Sequence, residues 1–331
     1  MSQLLTNLED FPTSLLRGAV SVGNFDGVHQ GHARLIEQLV STARRLRGPA
    51  LVMTFDPPPT ALLFPNRNLS APLTTMQRRA ELLFALGVDA LIAYPTDLEL
   101  LSLSAEEFFQ LKICDILQAR AMVEGPNFRF GRNRAGDVQL LQELCESSDV
   151  DFRVVPASQD ALGMISSTRI RDTIKSGKLE LANALLTQTY SIQGVVVPGE
   201  KRGSELGFAT ANLEQIESLL PGSGVYAGRV ELTSDATGNL SDQSANRRTY
   251  AAAVNIGPNL TFGESKTKVE VHLIGYAGGP MYAQRLEIAL IEKIRDIQKF
   301  DSIDDLRRQI AHDVAACSQC VPSASSVLSG N

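Results

Sequence analysis

The stretch SVGNFDGVHQGHARLI (residues 21–36) joins an apolar run to a helical pattern through a glycine-rich turn. The run GAVSVG, which overlaps its start, predicts a buried strand. After the turn, Leu35, Ile36, Leu39 and Val40 recur at helical spacing and predict the apolar face of a helix. A strand, a tight turn and a helix in this order are typical of a parallel α/β sheet.

Two of the four histidines in the chain, His29 and His32, lie in this turn. A zinc site needs three or four ligands, and no further cysteine or histidine lies near this pair in the sequence. A structural histidine pair would leave the glycines unexplained. Gly23, Gly27 and Gly31 permit tight turns and close backbone approach, and His32 falls at a predicted helix N-terminus, which favours anions. The turn therefore favours a cradle for a triphosphate.

Outward from this turn, the first half alternates apolar runs with helical patterns. Strands are predicted at residues 50–55, 90–94, 121–124 and near 154, and helices at the capping patterns Thr74-x-x-Gln77 and Ser104-x-x-Glu107. Such alternation predicts a Rossmann-type parallel sheet covered on both faces. His29, Asp56 and Asn127 each follow a predicted strand, so they could share the crevice at its carboxyl edge.

The second half is rich in strand patterns and predicts an antiparallel β-barrel. The strand patterns are YSIQGVVV, GVYAGRVEL, TYAAAVNIG, KVEVHLI and QRLEIALIEKI, with no helical pattern until residue 302. Ser302-x-x-Asp305 then opens a closing helix whose predicted apolar face is Ile303, Leu306, Ile310 and Val314. The predicted domains are residues 1–187 and 188–317. The polar sequence of residues 233–248 predicts a mobile loop. Residues 318–331 follow the last helical pattern and are predicted to be a disordered tail.

Composition narrows the class of protein. The 331 residues are 44% hydrophobic and 21% charged, with a net charge of −6, which is typical of a globular protein and unlike a broad nucleic-acid binder. No apolar run is long enough for a transmembrane helix, and the N-terminus does not resemble a secretory signal. The CxxC of Cys317 and Cys320 is interpreted as part of the tail. We expect a cytoplasmic protein, either a monomer or a weak homo-oligomer, without membrane or nucleic-acid partners.

A second segment, ISSTRIR (residues 165–171), reinforces the anion interpretation. Ser166, Ser167 and Thr168 precede a short helical pattern, where such residues are common as N-caps. Arg171 adds a bidentate phosphate donor one turn later. HxGH together with ISSTxxR predicts phosphoryl chemistry more strongly than either motif alone.

In the second half, GFATANL (residues 207–213) and VEVHL (residues 269–273) place polar groups on extended segments. Thr210 and Asn212 alternate with Ala211, so both oxygens could face one side and bind Mg²⁺. A strand period puts Glu270 and His272 on the face opposite the three apolar residues of VEVHL. Glu270 is then either a solvated surface residue or a general base.

With these motifs, the chain resembles the bacterial bifunctional riboflavin kinase/FMN adenylyltransferases, also called FAD synthetases. In the first half the resemblance rests on GNFDGVHQGH, TFDPPP, GPNFRFGRNRAGD and ISSTRIR. It implies a nucleotidylyltransferase-like domain that transfers AMP from ATP to FMN. It assigns His29, His32 and Arg171 to catalysis on the ATP phosphates. The remaining ATP residues that it implies are Gly23, Phe25, Asp26, Gly31, Ser166, Ser167 and Thr168, and the flavin residues are Asp56, Asn127 and Arg129.

In the second half the resemblance implies a riboflavin kinase-like barrel. Glu270 would accept the proton of the riboflavin 5′-hydroxyl, and Thr210 and Asn212 would hold Mg²⁺ with ATP. Gly199, Arg202, Gly203 and Gly207 match the loop around the ATP. The partners implied for the whole chain are riboflavin, FMN, FAD and ATP.

Three residues depart from the family pattern: Pro58 replaces a usual histidine, Ala209 a proline and Ser204 an arginine. Without a proline the Thr210 loop lacks a preset φ, and without the arginine it lacks a phosphate donor. Two alternatives follow. One is an FMN adenylyltransferase with a weak or inactive kinase-like flavin-binding module, and the other is a flavin-binding regulator without catalysis.

Overall fold

The computed structural model describes residues 2–6, 11–66, 70–200, 202–234, 246–262, 265 and 267–321, apart from the side chains of residues 233, 234, 246, 247 and 262. Two units divide the chain, Met1–Ser167 and Thr168–Asn331. None of the described helices is long and apolar enough to cross a membrane.

The first unit is built on a six-stranded parallel sheet, in the order β1-β4-β3-β2-β5-β6. The strands are β1 (Gln3–Leu5), β2 (Ala19–Val22), β3 (Ala50–Asp56), β4 (Ala90–Pro95), β5 (Ala121–Glu124) and β6 (Asp151–Val154). From β2 the chain continues to β3 on one side, and β5 later lies on the other side of β2. Such a switch in direction creates a crevice at the carboxyl ends of the strands.

Helices connect the strands and cover both faces of the sheet. They are α1 (Gln30–Leu46), α2 (Pro59–Leu63), α3 (Met76–Ala85), α4 (Leu98–Ser102), α5 (Ala105–Phe108) with a π-helical continuation (Phe109–Ile116), and α6 (Val138–Ser147), with 3₁₀ turns at Thr13–Leu15 and Arg132–Arg134. Along β3, Val52 packs into one core with Ile36 of α1. Its neighbours Leu51 and Met53 pack into the other core. The prediction of a parallel sheet buried on both faces is confirmed.

After β6 the chain forms a small hairpin, β7 (Gln159–Asp160) with β8 (Gly163–Met164), and then α7 (Ser167–Lys175) and α8 (Leu179–Leu185). Asn183 in α8 donates hydrogen bonds from its amide to the carbonyls of Leu290 and Ile291, 3.0 and 3.1 Å away. The helix that precedes residue 187 thus packs with the second unit. The domain boundary between residues 187 and 188 stays a prediction.

The second unit contains a closed six-stranded barrel in the order β10-β13-β12-β11-β14-β9. The strands are β9 (Ser191–Val197), β10 (Ala211–Glu214), β11 (Gly224–Ser234), β12 (Asn246–Gly257), β13 (Lys268–Leu273) and β14 (Arg285–Arg295), all antiparallel to their neighbours. A closing helix, α10 (Ile303–Cys320), follows the barrel. The predicted barrel with a closing helix is confirmed. The loop predicted at residues 233–248 is occupied at both ends by strand, and residues 235–245 lie outside the described residues.

The capping prediction at residue 74 was wrong by one position. Thr75 is the N-cap of α3 and accepts from the Arg78 amide at 3.2 Å. The hydroxyl of Thr74 instead hydrogen-bonds the Asp26 carboxylate. By contrast, Ser104 and Glu107 form the predicted capping box of α5.

The barrel also contains two elements that the sequence analysis did not predict. A four-residue helix, α9 (Arg202–Glu205), and a 3₁₀ turn (Leu260–Phe262) lie between strands, before the helix at residue 302. The strand β10 carries Asn212 and was predicted only as an extended segment. Elements of three or four residues are too short to establish a period.

The end of the chain also differs from the prediction. The cap at Ser302 is confirmed, but Ile303 is 61% exposed. The helix runs through residues 318–320, which were predicted as disordered; residues 322–331 lie outside the described residues. Cys317 is fully buried against the barrel, with its thiol 3.7 Å from the Tyr226 carbonyl oxygen. The CxxC therefore belongs to a packed helix and not to a tail. Burial raises the pKa of Cys317 to about 12, and a thiol with so high a pKa is a poor nucleophile at neutral pH.

Candidate active sites

The turn between β2 and α1 has an unusual backbone. Phe25, Gly27 and Val28 have φ values of 47°, 81° and 40°, all in the left-handed region. Val28 is fully buried and β-branched, for which a positive φ is a genuine outlier. Such conformations persist only where the surroundings hold them, and they concentrate at functional sites.

His29 and His32 are brought together by the start of α1. His29 is the N-cap, and its Nδ1 accepts a hydrogen bond from the His32 backbone amide at 3.2 Å. The two rings stack at a centroid distance of 3.6 Å and an interplanar angle of 16°. A Cβ at residue 31 would lie 3.1 Å from the His29 ring, so Gly31 leaves room for the pair. The predicted position of His32 at a helix N-terminus is confirmed.

Burial makes both imidazoles poor bases. It lowers the pKa of His29 to about 4. It also lowers the pKa of His32 well below its ordinary value, helped by the nearby His29 and by the positive charge of Arg79. At neutral pH both rings are uncharged. Since Nδ1 of His29 accepts a hydrogen bond, its ring proton is on Nε2, and the ring is an N–H donor at that atom.

Asp26 organises the same turn from within. Its buried carboxylate accepts hydrogen bonds from the Leu73 and Thr74 amides, each at 3.0 Å, and from the Arg79 guanidinium at 3.1 Å. The Gly27 amide in turn donates to the Thr74 hydroxyl at 3.1 Å. Asp26 therefore fixes the turn to the segment that leads into α3, and this positioning is a function that the sequence analysis did not foresee.

The ISSTRIR segment reaches this turn through Ser167. Its hydroxyl donates to the Asp26 carbonyl at 2.9 Å. Ser166 precedes α7, and Thr168 and Arg171 lie within α7, in the second unit. The ATP roles of these four residues stay predictions.

The flavin candidates also follow strands of the first sheet. Asp56 ends β3, and Asn127 and Arg129 lie in the loop after β5, all with exposed side chains. β3 and β5 flank β2, so these residues lie at the same carboxyl edge as the histidine turn. Asn127 and Arg129 line a cavity of about 370 Å³ together with Arg134 and Asp137.

In the second unit, the candidate base Glu270 lies between asparagine residues on its two neighbouring strands. Glu270 on β13 pairs with Asn212 on β10 and with Asn255 on β12. Directly opposed residues in antiparallel strands point to the same face. The Asn255 amide donates to the Glu270 carboxylate at 3.3 Å. Val269, Val271 and Leu273 are buried on the other face, as the strand period predicted.

Two glycines fit closely against the candidate metal ligands. A Cβ at Gly199 would lie 2.0 Å from Nδ2 of Asn212, and one at Gly203 would lie 3.1 Å from Oγ1 of Thr210. Gly207 adopts φ 90°, and Arg202 forms an ion pair with Glu200. The turn before β10 therefore packs directly on the side chains of Thr210 and Asn212.

One cavity of about 900 Å³ in the second unit contains the polar candidates of the kinase site. It is lined by Gly199, Glu200, Arg202, Gly203, Thr210, Asn212, Asn255 and Glu270, but not by Gly207. The same cavity is lined by Leu306, Ile310 and Val314 of α10, and by the charged residues Asp313 and Arg295. A cavity of this size, lined by both polar and apolar side chains, suits a flat ring with a polar tail.

Comparison with known proteins agrees with the family resemblance of both halves of the chain. The family model for FAD synthetase matches residues 12–169, and the model for riboflavin kinase matches residues 186–321. The Escherichia coli K12 bifunctional riboflavin kinase/FMN adenylyltransferase is 31% identical over 312 residues, which cover 94% of this chain and 95% of the relative. The chain belongs to this family.

Other members of the bifunctional riboflavin kinase/FMN adenylyltransferase family are equally similar. The Haemophilus influenzae enzyme is 32% identical over 314 residues, which cover 94% of this chain and 97% of the relative. A crystal structure described as a macrolide-efflux protein from Streptococcus pneumoniae has a TM-score of 0.83 at 30% identity, covering 96% of this chain and 98% of its own. The match to riboflavin kinase favours two active halves over an adenylyltransferase with an inactive module.

The structure also reveals buried polar residues that the sequence analysis missed in this bifunctional chain. Glu124 ends β5 and is 2% exposed; its carboxylate accepts from the Val22 amide at 2.6 Å and lies 3.4 Å from the Ser21 hydroxyl. Asp313 of α10 accepts three hydrogen bonds from Arg295, the shortest at 2.7 Å, and both residues line the larger cavity. The signal for Glu124 was a carboxylate at the end of an otherwise apolar strand.

Proposed function

We propose that this chain makes FAD from riboflavin in two ATP-dependent steps, phosphorylation to FMN and adenylylation to FAD. The observation that carries the proposal is the position of Glu270 beside Asn212 in the larger cavity, because a carboxylate and a hard oxygen ligand on one face are what hydroxyl phosphorylation requires.

In the kinase step, Glu270 accepts the proton of the riboflavin 5′-hydroxyl, and the hydroxyl oxygen bonds to the γ-phosphorus of ATP. The bond from the γ-phosphorus to the bridging oxygen breaks, and ADP leaves. Thr210 and Asn212 would hold Mg²⁺, which neutralises the charge that builds on the phosphates. Two neutral protein oxygens fit this ion when phosphates and waters complete its coordination.

In the adenylylation step, a phosphate oxygen of FMN bonds to the α-phosphorus of ATP while the bond to the bridging oxygen breaks and pyrophosphate leaves. The attacking phosphate is already an anion, so the step needs no base. His29, His32 and the α1 N-terminus would donate hydrogen bonds to the phosphates, with Ser166, Ser167, Thr168 and Arg171 as further contacts. Asp56, Asn127 and Arg129 would contact the flavin.

The test is to incubate the purified chain with riboflavin, ATP and Mg²⁺ and to separate riboflavin, FMN and FAD by chromatography. We expect FMN and then FAD, and neither when EDTA replaces the metal. FAD formed only from supplied FMN would instead support the alternative of a weak kinase module. Cytoplasmic residence and a monomeric or weakly associated state belong to the same proposal.

A further inference from the structure

The loop that carries Thr210 begins outside the barrel's hydrogen-bond ladder. The β10–β13 ladder ends at the pair of Ala211 with Val271. The next residue of β13, His272, therefore faces a segment that no longer belongs to a strand. Alanine at 209 does not fix φ as proline would, so the conformation of this segment has to be held by contacts.

His272 makes that contact. Its Nδ1 lies 2.8 Å from the Ala209 carbonyl oxygen. A carbonyl only accepts, so Nδ1 carries the proton. The Phe208 ring stands edge-on against the imidazole at 5.7 Å and 82°. The Phe208 amide also donates to the Gly203 carbonyl at 2.7 Å.

These contacts lie directly before the first candidate metal ligand, Thr210. The imidazole binds the residue immediately before Thr210, and His272 lies two positions from Glu270 on the same half-buried face of β13. One strand thus carries both the candidate base and the group that fixes the Thr210 loop. Both side chains line the larger cavity.

We propose that His272 is a positioning residue of the kinase site, which orders the Thr210–Asn212 ligand loop for Mg-ATP by donating from Nδ1 to the Ala209 carbonyl. The inference rests on the proposed kinase function for its kinetic consequence, but not for the ordering of the loop. It assigns His272 no contact with substrate and no part in proton transfer.

The test compares three variants of the full chain. His272→Asn keeps an amide donor near the Nδ1 position, His272→Gln moves it to the Nε2 position, and His272→Leu removes it. Hydrogen exchange of residues 203–213 should be faster in the Leu and Gln variants and close to wild type in the Asn variant. This readout needs no kinase activity, so it separates failure of the inference from failure of the proposed function.

The kinetic arm should show the same pattern. We expect the KM for Mg-ATP in the kinase step to rise about three- to tenfold in His272→Leu and His272→Gln, the range that loss of one hydrogen bond produces, with a smaller change in kcat. His272→Asn should stay within about twofold of wild type. Ala209→Pro, which presets φ, should lower the KM more in the His272→Leu background than in wild type, because both changes act on one loop.

Equal exchange in wild type and all three variants would overturn the proposal. Equal damage from Asn, Gln and Leu would also overturn it, because a residue that acts only by packing has no reason to distinguish the two amides. A loss confined to kcat would assign His272 to the chemical step instead.

Discussion

At the scale of single residues, the candidate adenylylation site contains two imidazoles with lowered pKa values, so both are neutral at pH 7. Their pKa values are lowered mainly by burial, and Arg79 adds to the effect at His32. A neutral N–H donor costs less to bury than an imidazolium and still hydrogen-bonds a phosphate oxygen. The stacked pair at the start of α1 is therefore suited to bind phosphates rather than to exchange protons with them.

We expect His32→Ala to reduce FAD formation from supplied FMN by at least about 10²-fold, the typical effect of removing a preorganised donor. Riboflavin phosphorylation should stay near normal, because His32 belongs to the first unit and the candidate kinase residues belong to the second. Steady-state rates of both steps measure this. A parallel fall in both rates, with the melting curve unchanged, would contradict separate sites.

In the second unit, the residue whose substitution tests the kinase step is Glu270. We expect Glu270→Gln to slow FMN formation by about 10²–10⁴-fold, because glutamine keeps the shape but cannot accept a proton. Adenylylation of supplied FMN provides the control and should not change. A kinase rate within a few-fold of wild type would remove Glu270 as the base.

At the scale of elements, Glu124 acts where two parallel strands separate. The β2–β5 ladder includes only Ala19 with Ala121 and Val20 with Met122. Beyond it, the Glu124 carboxylate binds the Val22 amide in place of a backbone partner. Complete burial raises the pKa of Glu124 well above its ordinary value, although the hydrogen bonds from Val22 and Ser21 oppose the shift. The crevice at this sheet edge is thus bridged by a carboxyl group that is hard to ionise.

This raised pKa predicts a stability that depends on pH. Between its ordinary pKa and the raised folded-state pKa, Glu124 binds a proton in the folded state but not in the unfolded state. The folded state therefore loses up to about 1.4 kcal/mol per pH unit as pH rises through that window. Glu124→Gln does not titrate, so its Tm should rise relative to wild type from pH 5 to pH 8. A constant difference in Tm would mean that Glu124 ionises normally.

The elements that could be predicted from sequence are those with a long period or a clear cap. β2, β3, α1 and the barrel strands other than β10 follow apolar patterns, and the Ser104 capping box is local chemistry. The hydrogen bonds of Glu124, Asp26 and Arg295 could not be predicted, since their partners are not neighbours in sequence. The same holds for His272: VEVHL places it on the correct face, but only the fold brings it to Ala209.

At the scale of the whole molecule, the candidate kinase residues lie in the second unit, and the candidate adenylylation residues lie in the first unit apart from Thr168 and Arg171. The FAD synthetase model matches residues 12–169 and the riboflavin kinase model matches residues 186–321. FMN is the product of one proposed step and the substrate of the other. The chain therefore either releases FMN into solution or passes it on directly, and the two variants described above distinguish these cases.

We expect a mixture of the His32→Ala and Glu270→Gln proteins to convert riboflavin to FAD, although neither does so alone. The first would make FMN and release it, and the second would adenylylate what it captures. Because FMN must accumulate in solution first, FAD should appear after a lag that shortens as the Glu270→Gln protein is increased. The time course of all three flavins measures this. If each variant keeps its remaining activity but the mixture makes no FAD, FMN does not leave the chain that forms it, and the two steps are coupled within one molecule.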